Sequence, residues 1–138
     1  MATNLNIAEL IGFAPKSDFE LAEEVEKGLS TETLKRLRDR GLTFTEIAGL
    51  IASPRTLKHR KSKGVDRLTH DEADRVVRVA RILSLAGETF GDPQKALGWL
   101  RTPDDRLNNR SALSLLQTES GGRLVEEMLW QIREGIFS

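Results

Sequence analysis

The chain has 138 residues, 38% of them hydrophobic, and a formal net charge of zero, which suits one domain or two very small ones. It contains no cysteine and only two histidines, His59 and His70, so we predict no disulfide, no metal site and no bound cofactor. No apolar run approaches the roughly 18–20 residues that span a bilayer, and the N-terminus lacks a basic leader followed by a hydrophobic stretch. We therefore expect a cytoplasmic protein without a membrane partner.

Apolar residues recur at intervals of three and four along nearly the whole chain, and no stretch alternates apolar with polar residues long enough to predict a strand. This pattern predicts an all-α protein. Short helices are expected around 5–11 and 18–27, and a third over 31–40 ends at Gly41, which suits a left-handed terminus. We assign 1–28 to an N-terminal helical extension, and we interpret its excess of acidic residues as a solvated surface.

A helix-turn-helix unit is indicated between residues 43 and 64. Thr43 and Glu46 have the spacing of a capping box and predict the start of one helix. After a short turn, Pro54 occupies a first helical position, where a missing N–H is tolerated, and opens a second, basic helix. Helix, short turn and basic helix is the order of a DNA reader whose second helix lies in the major groove. Leu57 is the expected inward anchor of that helix.

The segment 53–63 carries five basic residues and no acidic one. Such a segment suits a polyanionic partner, because each phosphate that Lys or Arg neutralises releases a condensed counterion. Early side chains of a reading helix meet base edges, and Arg55 is the expected base reader. We predict base contacts by Ser53, Arg55, Thr56 and His59, and phosphate contacts by Lys58, Arg60, Lys61 and Lys63. A solvated helix face is the alternative interpretation of this charge.

Thr69 and Glu72 repeat the capping-box spacing and predict a long helix over 70–87. Its arginines could extend the positive surface or pair with acidic residues at helical spacing, and we favour pairing. The residues concerned are Arg75, Arg78 and Arg81, with Asp71 and Asp74 as partners. Glycines near its end mark 88–92 as a boundary. We therefore predict a helix-turn-helix DNA-binding domain over 29–87 and a small helical module over 88–138.

The C-terminal module contains aromatic residues of the kind that fill cores and interfaces. For Trp99 we favour the core, with an interface as the alternative. For Trp130 and Phe137, burial within the subunit and burial against a partner both stay open. The apolar tail of the predicted helix 123–134 could close over its own core or insert into a partner groove. Candidate interface residues are Trp99, Arg123, Glu126, Trp130, Ile136 and Phe137, with surface solvation as the alternative for Arg123 and Glu126.

Four motifs together carry a family resemblance from about residue 30 to the end of the chain. They are RTL-x-x-R at 55–60, LTHDEADRVVRVARI at 68–82, Ala96–Leu97–x–Trp99–Leu100–x–x–Pro103, and Leu115–Leu116–x–Thr118–x–x–Gly121 running into Val125–Glu126. The combination resembles the Xre/MbcA/ParS antitoxin family, the DNA-binding partners of RES-domain toxins. Asn108 and Asn109 stand where the family has paired glycines, and Asn tolerates left-handed backbone better than other non-glycine residues. His59 stands where members often have Arg.

The resemblance implies an antitoxin of a type II toxin–antitoxin system. Its helix-turn-helix would bind operator DNA in its own promoter. Its C-terminal module, 88–138, would be a toxin-binding and dimerisation domain that forms a homodimer and keeps NAD from the pocket of a RES-domain toxin. One alternative is a stand-alone transcription regulator, and another is a protein-binding inhibitor whose basic helix is only solvated. We predict no enzymatic activity, because Asp104 and Asp105 have no His, Cys or glycine-rich loop beside them and fit a loop or a cap.

Overall fold

The computed structural model describes residues 7–135. In this part of the chain, α-helices dominate and the strands have only two residues each, which confirms the all-α fold class. The helices are α1 (Ala8–Ile11), α2 (Asp18–Lys27), α3 (Glu32–Asp39), α4 (Phe44–Leu50), α5 (Pro54–Ser62), α6 (His70–Phe90), α7 (Pro93–Arg101) and α8 (Glu119–Arg133), and the strands are β1 (Pro103–Asp104) and β2 (Arg110–Ser111).

Both predicted capping boxes are present. The Glu46 N–H donates to the Thr43 hydroxyl at 3.1 Å, and the Thr43 N–H donates back to the Glu46 carboxylate at 2.9 Å. The same exchange joins Thr69 and Glu72, at 3.2 and 2.8 Å. Because the first N–H groups of a helix have no partner within it, these side chains fix where α4 and α6 begin.

Helix α6 is the central element, and α1, α2, α3, α7 and α8 all pack against it. It runs three residues beyond its predicted end and stops at Gly91, whose φ is 71°. Gly87 does not end it, since a glycine inside a helix costs only about 1 kcal/mol and packing on both sides outweighs that cost. The predicted boundary at 87/88 therefore falls inside a continuous helix, and the division into domains stays a prediction.

The described part of the N-terminal extension is built into the core. Ile7 and Leu10 are 2% and 1% exposed, and α1 packs against α3 and α6. At the end of α2, the Arg67 guanidinium donates to the Gly28 carbonyl at 2.6 Å. Burial of these aliphatic side chains stabilises the fold by roughly 1.5–3 kcal/mol each, so residues 7–28 support the elements that follow them.

A short hairpin separates α7 from α8. Strands β1 and β2 pair antiparallel, and the turn contains Asn108 and Asn109 with φ of 55° and 63°. Both residues therefore adopt the left-handed geometry that the sequence predicted for them. The Asp104 carboxylate accepts from the Arg106 N–H at 2.8 Å, which confirms the expectation that this aspartate is a cap.

Candidate functional site

The basic helix α5 begins as predicted. The Ser53 hydroxyl accepts from the Thr56 N–H at 3.1 Å, and Pro54 occupies the first helical position. The Ser53 hydroxyl also donates to that of Thr56 at 2.9 Å, so two of the four predicted base contacts take part in capping while remaining exposed. A cap of this kind holds the first turn of α5 in place, and Arg55 lies in that turn.

Helix α5 lies on the surface with none of its residues fully buried. Leu57 is half-buried and packs against the core, which confirms it as the inward anchor. At about 100° per residue, Leu57 and Arg60 share one side of the helix, and Arg55 and His59 lie on the opposite side. The helix therefore presents its early basic side chains to solvent.

Most cations of the segment 53–63, which contains α5, have no ion-pair partner in the part of the chain that the structure describes. Arg55, Lys58, Lys61 and Lys63 are all exposed, and none of them has an ion-pair partner among residues 7–135. His59 is also exposed. Lysines and arginines without an internal partner are available to an external anion.

Arg60 differs from the other predicted phosphate contacts. Its guanidinium donates to both carboxylate oxygens of Glu72, at 2.7 and 3.0 Å, and the two side chains are only 14% and 10% exposed. Burial by itself would raise the pKa of Glu72, but the hydrogen bonds from Arg60 and the Thr69 N–H more than offset this effect and lower it. The same bond raises the pKa of Arg60. This bidentate ion pair gives Arg60 an internal partner that Arg55, Lys58, Lys61 and Lys63 lack within residues 7–135.

Two of the three arginines of α6, Arg75 and Arg78, contact other elements of the protein, whereas Arg81 is exposed. The predicted partner Asp71 instead pairs with His70 at 3.3 Å. Arg78 pairs with Asp74 at 3.3 Å, as predicted. It also donates to the Leu116 carbonyl at 3.3 Å and thereby ties α6 to the segment before α8. Arg75 donates to the Ile51 carbonyl at 3.2 Å and holds the end of α4.

A second arginine–glutamate pair joins α4 to α7. Arg101 donates to both carboxylate oxygens of Glu46 at 2.8 Å and to the Gly41 carbonyl at 2.7 Å. The hydrogen bond from Arg101 is the main reason that the pKa of Glu46 is lowered. Both capping-box glutamates therefore form an ion pair with an arginine from another element. Sequence spacing could not reveal either pairing, because the partners lie 55 and 12 residues away.

Helix α8 has one buried and one exposed side. The Thr118 hydroxyl accepts from the Gly121 N–H at 3.0 Å and caps it. A side chain at Gly121 would overlap the Leu115 carbonyl oxygen, so glycine is what allows this close approach. Gly122, Val125, Met128 and Leu129 are the buried residues of α8.

The exposed side of α8 carries Leu124 together with Arg123 and Glu126, two of the predicted interface residues. Leu124 is 43% exposed, although Val125 beside it is fully buried. Arg123 pairs with Glu119 at 3.2 Å.

The two tryptophans occupy intermediate positions. Trp99 is half-buried and packs on Phe90, with ring centroids 5.7 Å apart. Trp130 is half-buried, and the Arg133 guanidinium lies 4.8 Å from the ring centroid. Ile136 and Phe137 lie outside the described residues. The assignment of these residues to a partner interface therefore stays a prediction.

Residues 7–135 contain neither a metal-binding cluster nor a membrane-spanning helix. No group of three or more potential ligands from His, Asp and Glu could hold a metal ion there. No helix in that range has both the length and the apolar content needed to cross a membrane.

Comparison with known proteins matches both parts of this arrangement. The model of the antitoxin Xre-like helix-turn-helix domain matches residues 20–81, and that of the antitoxin Xre/MbcA/ParS C-terminal toxin-binding domain matches 85–135. The two matches meet within α6.

Three relatives carry the same name. A Pseudomonas putida protein named antitoxin Xre is 38% identical over 119 residues, which are 86% of this chain and 74% of that protein. An antitoxin Xre of Yersinia enterocolitica is 28% identical over 130 residues, 93% of this chain and 88% of its own length. One of Photorhabdus laumondii is 35% identical over 80 residues, 57% of this chain and 54% of its own length.

Proposed function

Because this chain belongs to the Xre antitoxin family, we propose that it neutralises a RES-domain, NAD-consuming toxin by binding over the active site of that toxin. In the same proposal it acts in the cytoplasm as a homodimer, represses its own operon through the helix-turn-helix and has no catalytic activity. One observation carries the proposal: a DNA-reading unit and a toxin-binding domain are matched on a single chain and share α6.

The DNA-binding half of the proposal is supported by the exposed cations of the segment 53–63 that have no ion-pair partner among residues 7–135. The helix α5 that presents them is capped, and a turn of three residues joins it to α4, as a major-groove reader requires. Arg55 lies in the first turn and is assigned to a base edge. Lys58, Lys61 and Lys63 are assigned to phosphates.

Two substitutions separate these assignments. Arg55→Ala should weaken operator binding by about 1–3 kcal/mol and relax the sequence preference at one base pair, because a bidentate arginine reads guanine. Lys61→Ala should weaken binding to every duplex alike and reduce the slope of log K against log salt by about 1. Fluorescence anisotropy with a promoter duplex and a scrambled duplex, at several salt concentrations, measures both effects. Equal and salt-insensitive binding by the two variants would exclude DNA reading by α5 and favour the inhibitor without a DNA role.

The toxin-binding half is supported by α8, which combines a buried side that fixes it in the core with an exposed side that carries Leu124. A partner that covers this side would bury the leucine and meet Arg123 and Glu126 at the rim. Trp130 lies in the same helix, and the tail with Ile136 and Phe137 follows it in the sequence.

Co-purification tests this half. A toxin encoded beside this chain should be retained by it, and the NAD-consuming activity of that toxin should appear only after the two proteins are separated. Leu124→Asp should weaken retention by at least tenfold, since a desolvated carboxylate would replace a buried leucine. The matched control is Phe19→Asp, which places the same charge on another exposed apolar position, 72% exposed, in α2. Growth arrest by the toxin that this chain does not relieve would favour a stand-alone regulator.

A further inference from the structure

The attachment of α5 to the rest of the protein depends on very few side chains. None of its residues is fully buried, and the half-buried Leu57 is its contact with the core. One apolar contact of this size is a weak restraint on the rotation of a helix about its own axis. The second attachment is the Arg60–Glu72 pair, one helical turn further along the same side.

Glu72 does two things with one carboxylate. Its Oε1 accepts from the Thr69 N–H at 2.8 Å and from Arg60 at 2.7 Å, and its Oε2 accepts from Arg60 at 3.0 Å. The glutamate that fixes the beginning of α6 is therefore the same group that fixes the rotation of α5. A guanidinium held at two points cannot swing as a singly held one can.

We propose that Glu72 is a positioning residue for DNA reading, which holds α5 through Arg60 in the rotation that presents Arg55 to the bases. The inference rests on the proposed DNA-binding function. It assigns Arg60 to the interior of the reader and leaves phosphate contacts to the lysines. Leu57 and Arg60 form the fixed side of α5, and Arg55 and His59 lie on the side turned away from it.

The sign of one mutational effect separates positioning from simple electrostatics. Glu72 is an acid in a unit that binds a polyanion, so loss of its charge should strengthen binding to any DNA if charge alone matters. If Glu72 positions α5, the same loss should weaken binding to the operator and leave binding to unrelated DNA unchanged or slightly tighter.

Glu72→Gln is suited to this test because glutamine keeps the capping-box pattern and removes the charge that holds Arg60. Asp71→Asn is the matched control, since it removes the same charge at the neighbouring position. The Asp71 side chain is exposed and does not touch Arg60. Anisotropy titrations would use the promoter duplex and a scrambled duplex of equal length. We expect Glu72→Gln to raise the Kd for the promoter duplex about tenfold, the size of a typical coupling between contacting residues, and Asp71→Asn to lower both Kd values slightly.

If Glu72→Gln behaves like Asp71→Asn, the inference is wrong. Thermal melts followed by circular dichroism set a temperature at which each variant is folded. If Glu72→Gln does not fold, Arg60→Gln replaces it: a loss of operator affinity with an unchanged salt slope supports positioning, and a slope reduced by about 1 identifies a phosphate contact and overturns it. A wild-type protein that binds both duplexes alike overturns the DNA-reading function and this inference together, whereas selectivity that Glu72→Gln leaves intact overturns the inference alone.

Discussion

Helix α5 is attached to the protein by one half-buried leucine and one ion pair, whereas α8 is attached by four buried residues and a backbone contact at Gly121. Both are candidate binding elements. The comparison shows two ways to build a binding helix. A helix that acts through charge can lie on the surface, because its cations must stay hydrated until they meet phosphate. A helix that presents an apolar contact needs a buried opposite side, since that side supplies the stability that exposed leucine does not.

Helix α6 joins the two elements. Glu72 near its beginning holds α5, and Arg78, further along the same helix, pairs with Glu119 of α8 at 3.5 Å. The attachments differ in chemistry as well as in number, because α5 depends on a carboxylate and α8 mainly on packing.

The largest loss of stability is expected from a substitution at the beginning of α8. Gly121→Ala should lower the free energy of unfolding by at least about 2 kcal/mol, because the new methyl group overlaps the Leu115 carbonyl and the helix must move. Gly98→Ala is the control. No atom lies within 4 Å of a side chain added there in α7, and alanine should stabilise that helix by about 0.5–1 kcal/mol. Urea denaturation measures both values, and equal effects would contradict the close packing of α8.

The same substitution on the two binding helices should give different results. Leu57→Ala in α5 should lower the free energy of unfolding by about 1–2 kcal/mol, since it removes part of the apolar contact that seats the helix. Leu124→Ala on the exposed side of α8 should stay within about 0.5 kcal/mol of wild type. Chemical denaturation checks both. If Leu124→Ala were the more destabilising change, the exposed side of α8 would have to be packed within the subunit.

The turn between β1 and β2 offers a stability test that involves neither α5 nor α8. Asn109→Ala should cost about 1 kcal/mol, because alanine pays more than asparagine for a φ of 63°. Asn109→Gly should be neutral or stabilising, since glycine enters this region freely. Thermal unfolding of the two variants gives the comparison, and an alanine variant as stable as the glycine variant would argue against left-handed backbone at this position.

Acid should loosen α5 before α8. The pKa of Glu72 is lowered from 4.5, so the stabilisation by its pair with Arg60 is present above about pH 4.5 and is lost as pH falls through the lowered pKa. NMR amide shifts between pH 7 and 3 should therefore show a local transition in α5 that follows the titration of the Glu72 carboxyl, while the buried side of α8 is unchanged. In Glu72→Gln that transition should disappear. A transition common to both helices would indicate global unfolding instead.

Local signals accounted for much of this architecture. Three helix starts were marked by Thr43 with Glu46, by Thr69 with Glu72, and by Pro54, because these signals act within one turn of the chain. Asn108 and Asn109 marked a turn for the same reason. The end of α6 could not be placed in this way, since packing on both sides carries the helix past Gly87.

The positive charge of α5 was evident from the sequence, but the role of each basic residue was not. All five basic residues between 53 and 63 were predicted to contact DNA, and only the folded chain separates Arg60 from the other four. Its partner Glu72 lies across a turn, and such a pairing depends on how two helices pack rather than on spacing within either one. The exposure of Leu124 beside the buried Val125 was decided in the same way, by the direction from which α6 covers α8. Local backbone chemistry fixes where elements begin, and the packing of elements distant in sequence fixes which of their side chains are free to bind.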